Sequence, residues 1–189
     1  SYNAGVVVPP KNPAAIADAG LDVAICSGDN IQLLATGGTQ YSWSPANDLD
    51  DPNIPDPVFD GTSTTTLTVT VTNINGCIDT DDVDVTVNPL PPADAGPDVT
   101  ICLGFTTQLN GSGGTGYSWN PATDLDNPNI PNPAFSGLAS TNYTLTVTDN
   151  NTCVATDDVY IDVIQNIPAS DFSMPVTACL NEDVIVTFT

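Results

Sequence analysis

The side chains in this sequence best suited to chemistry are carboxylates and thiols. Asp48, Asp50, Asp51 and Asn53 set oxygens at near-alternate positions in SWSPANDLDDPNIPDPVF, from Ser42 to Phe59. Asp124, Asp126 and Asn129 do the same in SWNPATDLDNPNIPNPAF, from Ser118 to Phe135, 76 residues later. Oxygen ligands so spaced suit a hard cation, calcium first. The turn Gly and bidentate Glu of an EF-hand loop are missing, Asp51 becomes Asn127, and Pro52, Pro55 and Pro57 stiffen the segment. The favoured expectation is thus a rigid loop capped by its own Asp and Asn side chains, laying Ile54 and Phe59 over the edge of a β-structure. Calcium at these seven residues stands second. A further acidic group, Asp18 and Asp22 with Asp81 and Asp82, or Asp94 and Asp98 with Asp157 and Asp158, is motivated by charge density alone.

Cys26, Cys77, Cys102, Cys153 and Cys179 occur without a CxxC pair and without any His, which argues against zinc and for disulfides in an oxidising compartment. Trp43 and Trp119 could stack on a sugar. Tyr41 and Tyr117 lie two residues away on the same strand face, which favours core Trp residues between two sheets.

The rest of the composition removes whole classes of function. The net charge is -22, with Lys11 the single basic residue and Glu182 the single Glu. Nucleic acid, anionic membranes and nucleoside triphosphates are excluded as partners because they are bound through Lys and Arg. Without His, imidazole bases and Ser/His or Cys/His nucleophiles are excluded too. An enzyme would need two opposed carboxylates in a cleft, and a chain rarely needs the same active site every 76 residues. No enzyme and no cofactor other than calcium is expected. No apolar run approaches the roughly 18 residues of a membrane span, so no direct membrane insertion is expected.

The elements that must position these residues are strands. In TLTVTVTN, Leu67, Val69 and Val71 alternate with Thr66, Thr68, Thr70 and Thr72. In DDVDVTVN, Val83, Val85 and Val87 alternate with Asp82, Asp84 and Thr86. Period-2 alternation marks half-buried strands, and NINGC between them marks a hairpin. The counterpart is YTLTVTDNNTC followed by DDVYIDV. Aligned on itself at an offset of 76, the chain matches at about 40 of the 70 positions from Asp18 to Val87. Turn residues at short intervals then predict two tandem β-sandwich modules of immunoglobulin type, with seven or so short strands each. DVAI, IQLLA, YSW and a short strand near PVF precede the long hairpin.

ADAGPDVTICLG, YSWNPATDLDNPNIPNPAF and YTLTVTDNNTCVATDDV resemble the PKD-like and immunoglobulin-like repeats of giant surface proteins in Bacteroidota, including gliding-motility-associated adhesins and type IX-secreted proteins. The resemblance covers residues 18 to 165 and the DFSMPVTACLNEDVIVTFT start of a third module. YSWSP and YSWNP stand where PKD domains carry a WDFGDG-like signature, so the modules are PKD-like. The resemblance implies an all-β chain of tandem immunoglobulin-like (PKD-like) modules in an extended array, outside the cell, at its surface or secreted. It implies the role of a spacer, stalk or adhesive filament. Expected boundaries are 1–10 for the last strand of a preceding module, 11–17 for a linker, 18–88 for module one, 89–93 for a Pro-rich junction, 94–165 for module two and 169–189 for the start of a third. Expected partners are neighbouring modules, further copies in a filament, or a surface ligand. The alternative is a calcium- or carbohydrate-binding module of a secreted protein. Lys-to-Asn isopeptide crosslinks are excluded within the repeats, since Lys11 precedes them.

Two disulfide patterns remain open. Cys26 with Cys77 and Cys102 with Cys153 would bridge each module internally. In immunoglobulin topology, however, the turn after the first strand and the turn before the last lie at opposite ends, about 20 Å apart for a strand of about six residues. Bridged Cα atoms lie roughly 4.4 to 6.8 Å apart. An end-to-end array would instead bring Cys26 to Cys153, leaving Cys77, Cys102 and Cys179 to further modules.

Overall fold

The computed structural model describes residues 13–164, together with two short strands at 177–180 and 184–187 whose side chains are not described. The expected strand at residues 1–10, Lys11 and Glu182 lie outside the described residues. The chain divides into two compact units, Ser1–Pro89 and Leu90–Thr189.

The first unit holds β1 (Val23–Cys26), β2 (Ile31–Gln32), β3 (Gln40–Ser44), β4 (Val58–Phe59), β5 (Thr65–Thr72) and β6 (Ile78–Asn88). They form a four-stranded sheet in the order β1-β6-β5-β3 and a two-stranded sheet β2-β4. β3, β5 and β6 pair antiparallel, while β1 runs parallel to β6 with Val23 opposite Val85 and Cys26 opposite Asn88. Between the sheets lie Ile25, Leu33, Ala35, Trp43, Phe59, Leu67, Val69, Val71, Val83 and Val85. The alternation read from TLTVTVT is the cause: the Val and Leu positions of β5 are fully buried while the Thr positions reach the outer face.

The second unit repeats the plan with β7 (Val99–Cys102), β8 (Thr107–Gln108), β9 (Gly116–Asn120), β10 (Ala134–Phe135), β11 (Thr141–Thr148) and β12 (Val154–Ile164). The sheets are β7-β12-β11-β9 and β10-β8. An antiparallel hairpin of β13 (Thr177–Leu180) and β14 (Val184–Thr187) follows. Each unit therefore holds an all-β, immunoglobulin-like sandwich, β1–β6 in the first and β7–β12 in the second, with six named strands apiece among the described residues.

One expectation is corrected. IQLLA was expected to be a strand throughout, yet only Ile31 and Gln32 join a ladder. Leu33 and Ala35 instead donate their N–H groups to the carbonyls of Pro57 (2.9 Å) and Pro55 (2.7 Å). A proline offers a carbonyl but no N–H, so this edge can be paired from one side only and the ladder stops.

The duplicated DAG segment explains how the chain enters a sandwich. Asp18 bridges Thr36 on the small-sheet side, and its Oδ1 accepts the Gly20 N–H at 2.9 Å. Gly20 then takes a positive φ of 87° and sends the chain across to β6. Gly37 (φ 106°) is tied to the same crossing, because a Cβ there would run into the Ile16 carbonyl.

The hairpin turn is where the copies differ in backbone cost. Gly76 has φ 77°, and its counterpart Thr152 holds φ 67° with a β-branched side chain. A β-branched residue in the left-handed region is strained by roughly 1–2 kcal/mol. Thr152→Gly is expected to stabilise the second sandwich by about 0.5–1 kcal/mol after the larger chain entropy of glycine is subtracted, read as a higher urea midpoint at NMR probes in 94–164. Gly76→Thr is expected to lower the midpoint of the first sandwich by a similar amount.

Candidate functional site

The repeated loop is held by its own backbone carbonyls and its own acids. Trp43 is 2% exposed, its indole Nε1–H donates to the Ile54 carbonyl (3.1 Å), and its backbone N–H donates to Pro52 (2.8 Å). With Pro55 and Pro57 accepting from Ala35 and Leu33, the segment lies against both sheets and covers the outer edge of β3. Asp50 Oδ1 accepts the N–H groups of Asp51 and Val58, both at 2.8 Å, and Asp51 Oδ1 accepts that of Asn53 at 2.9 Å.

The second copy repeats this atom for atom. Trp119 is 2% exposed and donates to Ile130 (3.0 Å) and Pro128 (2.8 Å), Asp126 Oδ1 accepts from Asn127 and Ala134, and Asn127 Oδ1 accepts from Asn129. Asn127 does the work of Asp51 without a charge, so a side-chain oxygen at this reach is what the position requires. Both Trp residues are core, and neither indole presents a face to a sugar.

The remaining candidate acids divide into backbone acceptors, side-chain acceptors and outward-facing strand residues. Asp48 and Asp124 accept the N–H groups of Asp60 and Ser136 through their backbone carbonyls. Asp81 Oδ2 accepts the Ala19 N–H (2.8 Å) and Asp157 Oδ2 the Ala95 N–H (2.8 Å), clamping each entry segment to the last strand. Asp22 and Asp98 accept from Asp84 and Tyr160, and Asp94 from Gly96. Asp82 and Asp158 stand on the outer sheet faces opposite Thr68 and Thr144. Asp79 adds a clamp to Ala17 that the second copy lacks, because Ala155 stands there.

Among the described residues, no three Asp, Glu, Cys or His side chains gather in a group able to hold a metal ion. The calcium expectation at Asp48, Asp50, Asp51, Asn53, Asp124, Asp126 and Asn129, and that at the entry segments, finds no such group of acids among the described residues. Melting temperature is expected to be the same in chelator and in millimolar calcium matched for ionic strength, since an ion bound to the native state alone would raise it.

The cysteines define the poles of each sandwich. Cys26 ends β1 opposite Asn88, the last residue of β6, while Cys77 directly precedes Ile78, the first. The 11 residues of β6 separate them by about 36 Å at roughly 3.3 Å per residue, more than the six-residue estimate from sequence. Cys102 is opposite Ile164, and Cys153 precedes Val154, at the two ends of β12. No bridge within one sandwich can span this distance. Cys26, Cys102 and Cys153 are disulfide-bonded, whereas Cys77 is a half-buried free thiol. Cys179 lies on β13, outside the described side chains.

Tyr143 is a feature the sequence did not single out. It replaces Leu67 of the first copy, is fully buried edge-on to Phe135 (centroids 5.8 Å apart), and donates its hydroxyl to the Thr123 carbonyl at 2.7 Å. Burial first, and then the negative charge of Asp124, push its pKa from 10.0 up to about 12. The folded state thus holds the proton more tightly than the unfolded state. This contribution to stability is complete below pH 10 and is lost as the pH rises through about 12. The second sandwich is expected to lose stability over this window in NMR-monitored unfolding, while Tyr143→Phe removes that sensitivity.

No protein-family model matches the chain, and no curated protein matches it. Among solved structures, extracellular domains 3-5 of Drosophila OTK are similar at 14% identity over 76% of this chain and 59% of that one, with a TM-score of 0.44. The chain therefore spans about three fifths of that structure. The IG1 and IG2 domains of DIP-gamma are similar at 10% identity, over 80% of this chain and 98% of that one, with a TM-score of 0.42. The PKD domain of the KIAA 1837 protein is similar at 28% identity, over 40% of this chain and 87% of that one, with a TM-score of 0.35.

Proposed function

We propose that the chain is a segment of an extracellular filament, stalk or adhesin, in which tandem PKD-like sandwiches supply reach and stiffness and disulfides join one module to the next. Cys26 is assigned to Cys153, with modules at 18–88 and 94–165 meeting at the Pro-rich junction 89–93, a linker at 11–17, and neighbouring modules at 1–10 and 169–189. The parent class is the large surface proteins of Bacteroidota that the sequence resembles. Partners are neighbouring modules, further copies of the chain, or a surface ligand.

The observation that carries the proposal is the polar placement of the cysteines. Each sandwich keeps its two thiols at opposite ends of its last strand, too far apart to close on each other, and three of the four are nonetheless in disulfides. Support also comes from the absence of His, the burial of both Trp residues and the use of the acids as backbone acceptors. A bridge is worth about 2–4 kcal/mol to a domain with so small a core.

The test is disulfide mapping of non-reduced chain digested with an Asp-directed protease. A Cys26–Cys153 crosslinked peptide is the expected result. A Cys26 partner other than Cys153 would remove the covalent staple and leave a hinged string of sandwiches.

A further inference from the structure

We propose that Asn75 is a self-modification site: the backbone nitrogen of Gly76 attacks its side-chain amide, and the residue converts to aspartate and isoaspartate within the folded protein. The site lies in the turn between β5 and β6. The second sandwich has Asn151 and Thr152 at the same turn.

The reaction needs an asparagine whose neighbour has an unhindered nitrogen, and a backbone free to bring that nitrogen onto the amide carbon. Asn75 and Gly76 are both exposed. Gly76 carries no side chain, takes φ 77°, and has open space where a Cβ would stand. Among the described residues the Asn75 carboxamide makes no hydrogen bond; only its backbone N–H is engaged, by Asn73 Oδ1 at 2.9 Å. The Gly76 N–H donates to the Asn73 carbonyl at 2.9 Å. That bond closes this turn alone, and an exposed turn opens at little cost in free energy.

Two other asparagines in the same chain show what protection looks like. Asn110 is exposed and also precedes a glycine, Gly111. The Gly111 N–H, however, donates to the Pro131 carbonyl at 2.7 Å, and Ser112 beyond it is bridged to Asp94. A Cβ on Gly111 would stand 2.9 Å from Trp119, Leu145 and the Pro131 carbonyl. Freeing this nitrogen means opening the edge of the core, which requires far more free energy than opening a turn. Asn151 sits in a turn built like that of Asn75, its N–H on Asp149 Oδ1 (2.8 Å) and the Thr152 N–H on the Asp149 carbonyl (3.3 Å). Its protection is chemical, since the β-branched Thr152 crowds the attacking nitrogen. Strained as it is at φ 67°, Thr152 shields Asn151.

The reaction consumes only water. Hydroxide takes the Gly76 amide proton, the nitrogen attacks Asn75 Cγ, the Cγ–Nδ2 bond breaks, and ammonia leaves from a cyclic imide. Water then opens the imide. Addition at Cγ gives aspartate, and addition at the main-chain carbonyl gives isoaspartate, whose main chain runs through the former side-chain methylene. Both products add a negative charge to a chain with one base. Isoaspartate also lengthens a turn that Asn73 Oδ1 ties at two points, the N–H groups of residues 75 and 77. The first hairpin therefore ages, and the second does not.

The test incubates the native 189-residue chain at physiological temperature and mildly alkaline pH. Chymotryptic peptides are followed by mass spectrometry, and isoaspartate is read by methyl transfer from S-adenosylmethionine with an isoaspartyl methyltransferase. Conversion at Asn75 is expected about 10-fold faster than at Asn110 and Asn151, a difference of about 1.4 kcal/mol in barrier. In urea, where both Asn-Gly pairs are unfolded, Asn110 is expected to reach the rate of Asn75. Native Asn75 converting no faster than the other two would overturn the proposal, as would Asn110 staying slow in urea or aspartate forming at position 75 without isoaspartate. Thr152→Gly supplies a gain-of-modification test in the other sandwich, where Asn151 is expected to become as reactive as Asn75. An unchanged Asn151 in that folded variant would overturn the proposal too.

Discussion

The parallel pairing of the first strand with the last is the constraint on which the rest of each sandwich depends. β1 can lie parallel to β6 only if the chain enters on the small-sheet side, crosses over and runs the length of the domain. The crossing requires the DAG segment, with an Asx turn at Asp18, a buried Ala19 and a left-handed Gly20. The same direction puts the cysteine at the end of β1 beside the exit of β6 and the hairpin cysteine beside its start. Were β1 antiparallel to β6, its C-terminal cysteine would lie near the hairpin, where an internal bridge could close. Strand direction thus decides whether a thiol can serve its own module or only another.

The acidity acquires a structural meaning from the hydrogen bonds. A chain with 23 acids and one base cannot neutralise its carboxylates with ion pairs, so their value must come from elsewhere. Asp50, Asp81, Asp126 and Asp157 spend oxygens on backbone N–H groups that no strand supplies with a carbonyl. Such groups would otherwise face solvent or remain unpaired at a buried edge, a loss of about 1–3 kcal/mol each. The prolines solve the complementary half of the problem, since their carbonyls accept from sheet edges and they have no N–H to satisfy in return. Asp and Pro together close the sheet edges without adding strands.

The sequence made the core and the poles legible but not the edges. Leu67, Val69 and Val71 against Thr66, Thr68 and Thr70 announce their faces because burial acts on side chains, and side chains are what a sequence displays. The 76-residue repeat located the matched cysteines, while their pairing stayed open between two patterns until the parallel register of β1 and β6 placed Cys26 and Cys77 at opposite ends of β6. Leu33 and Ala35 were less readable. They keep the strand alternation of burial, yet their partners are carbonyls of Pro57 and Pro55 about twenty residues on, and a backbone acceptor leaves no signature in residue type. Tyr143 was hidden for a related reason, because alternation marks it only as an inward position equivalent to Leu67.

Differences between the copies separate what the fold requires from what each position adds. Asp51 and Asn127 exchange freely because both offer an oxygen to the residue two positions on. Asp79 and Ala155 exchange at the cost of one clamp, that on Ala17, while the separate clamp of Asp81 on Ala19 is kept in the second copy by Asp157 on Ala95. Trp43 and Trp119, Pro52 and Pro128, and Cys26 and Cys102 do not change, and each is joined to the chain through a backbone atom or a position at the pole. What stays constant is the set of side chains that seal edges and mark ends. A module built in this way can be lengthened by repetition, because its ends and its edges are handled by different residues.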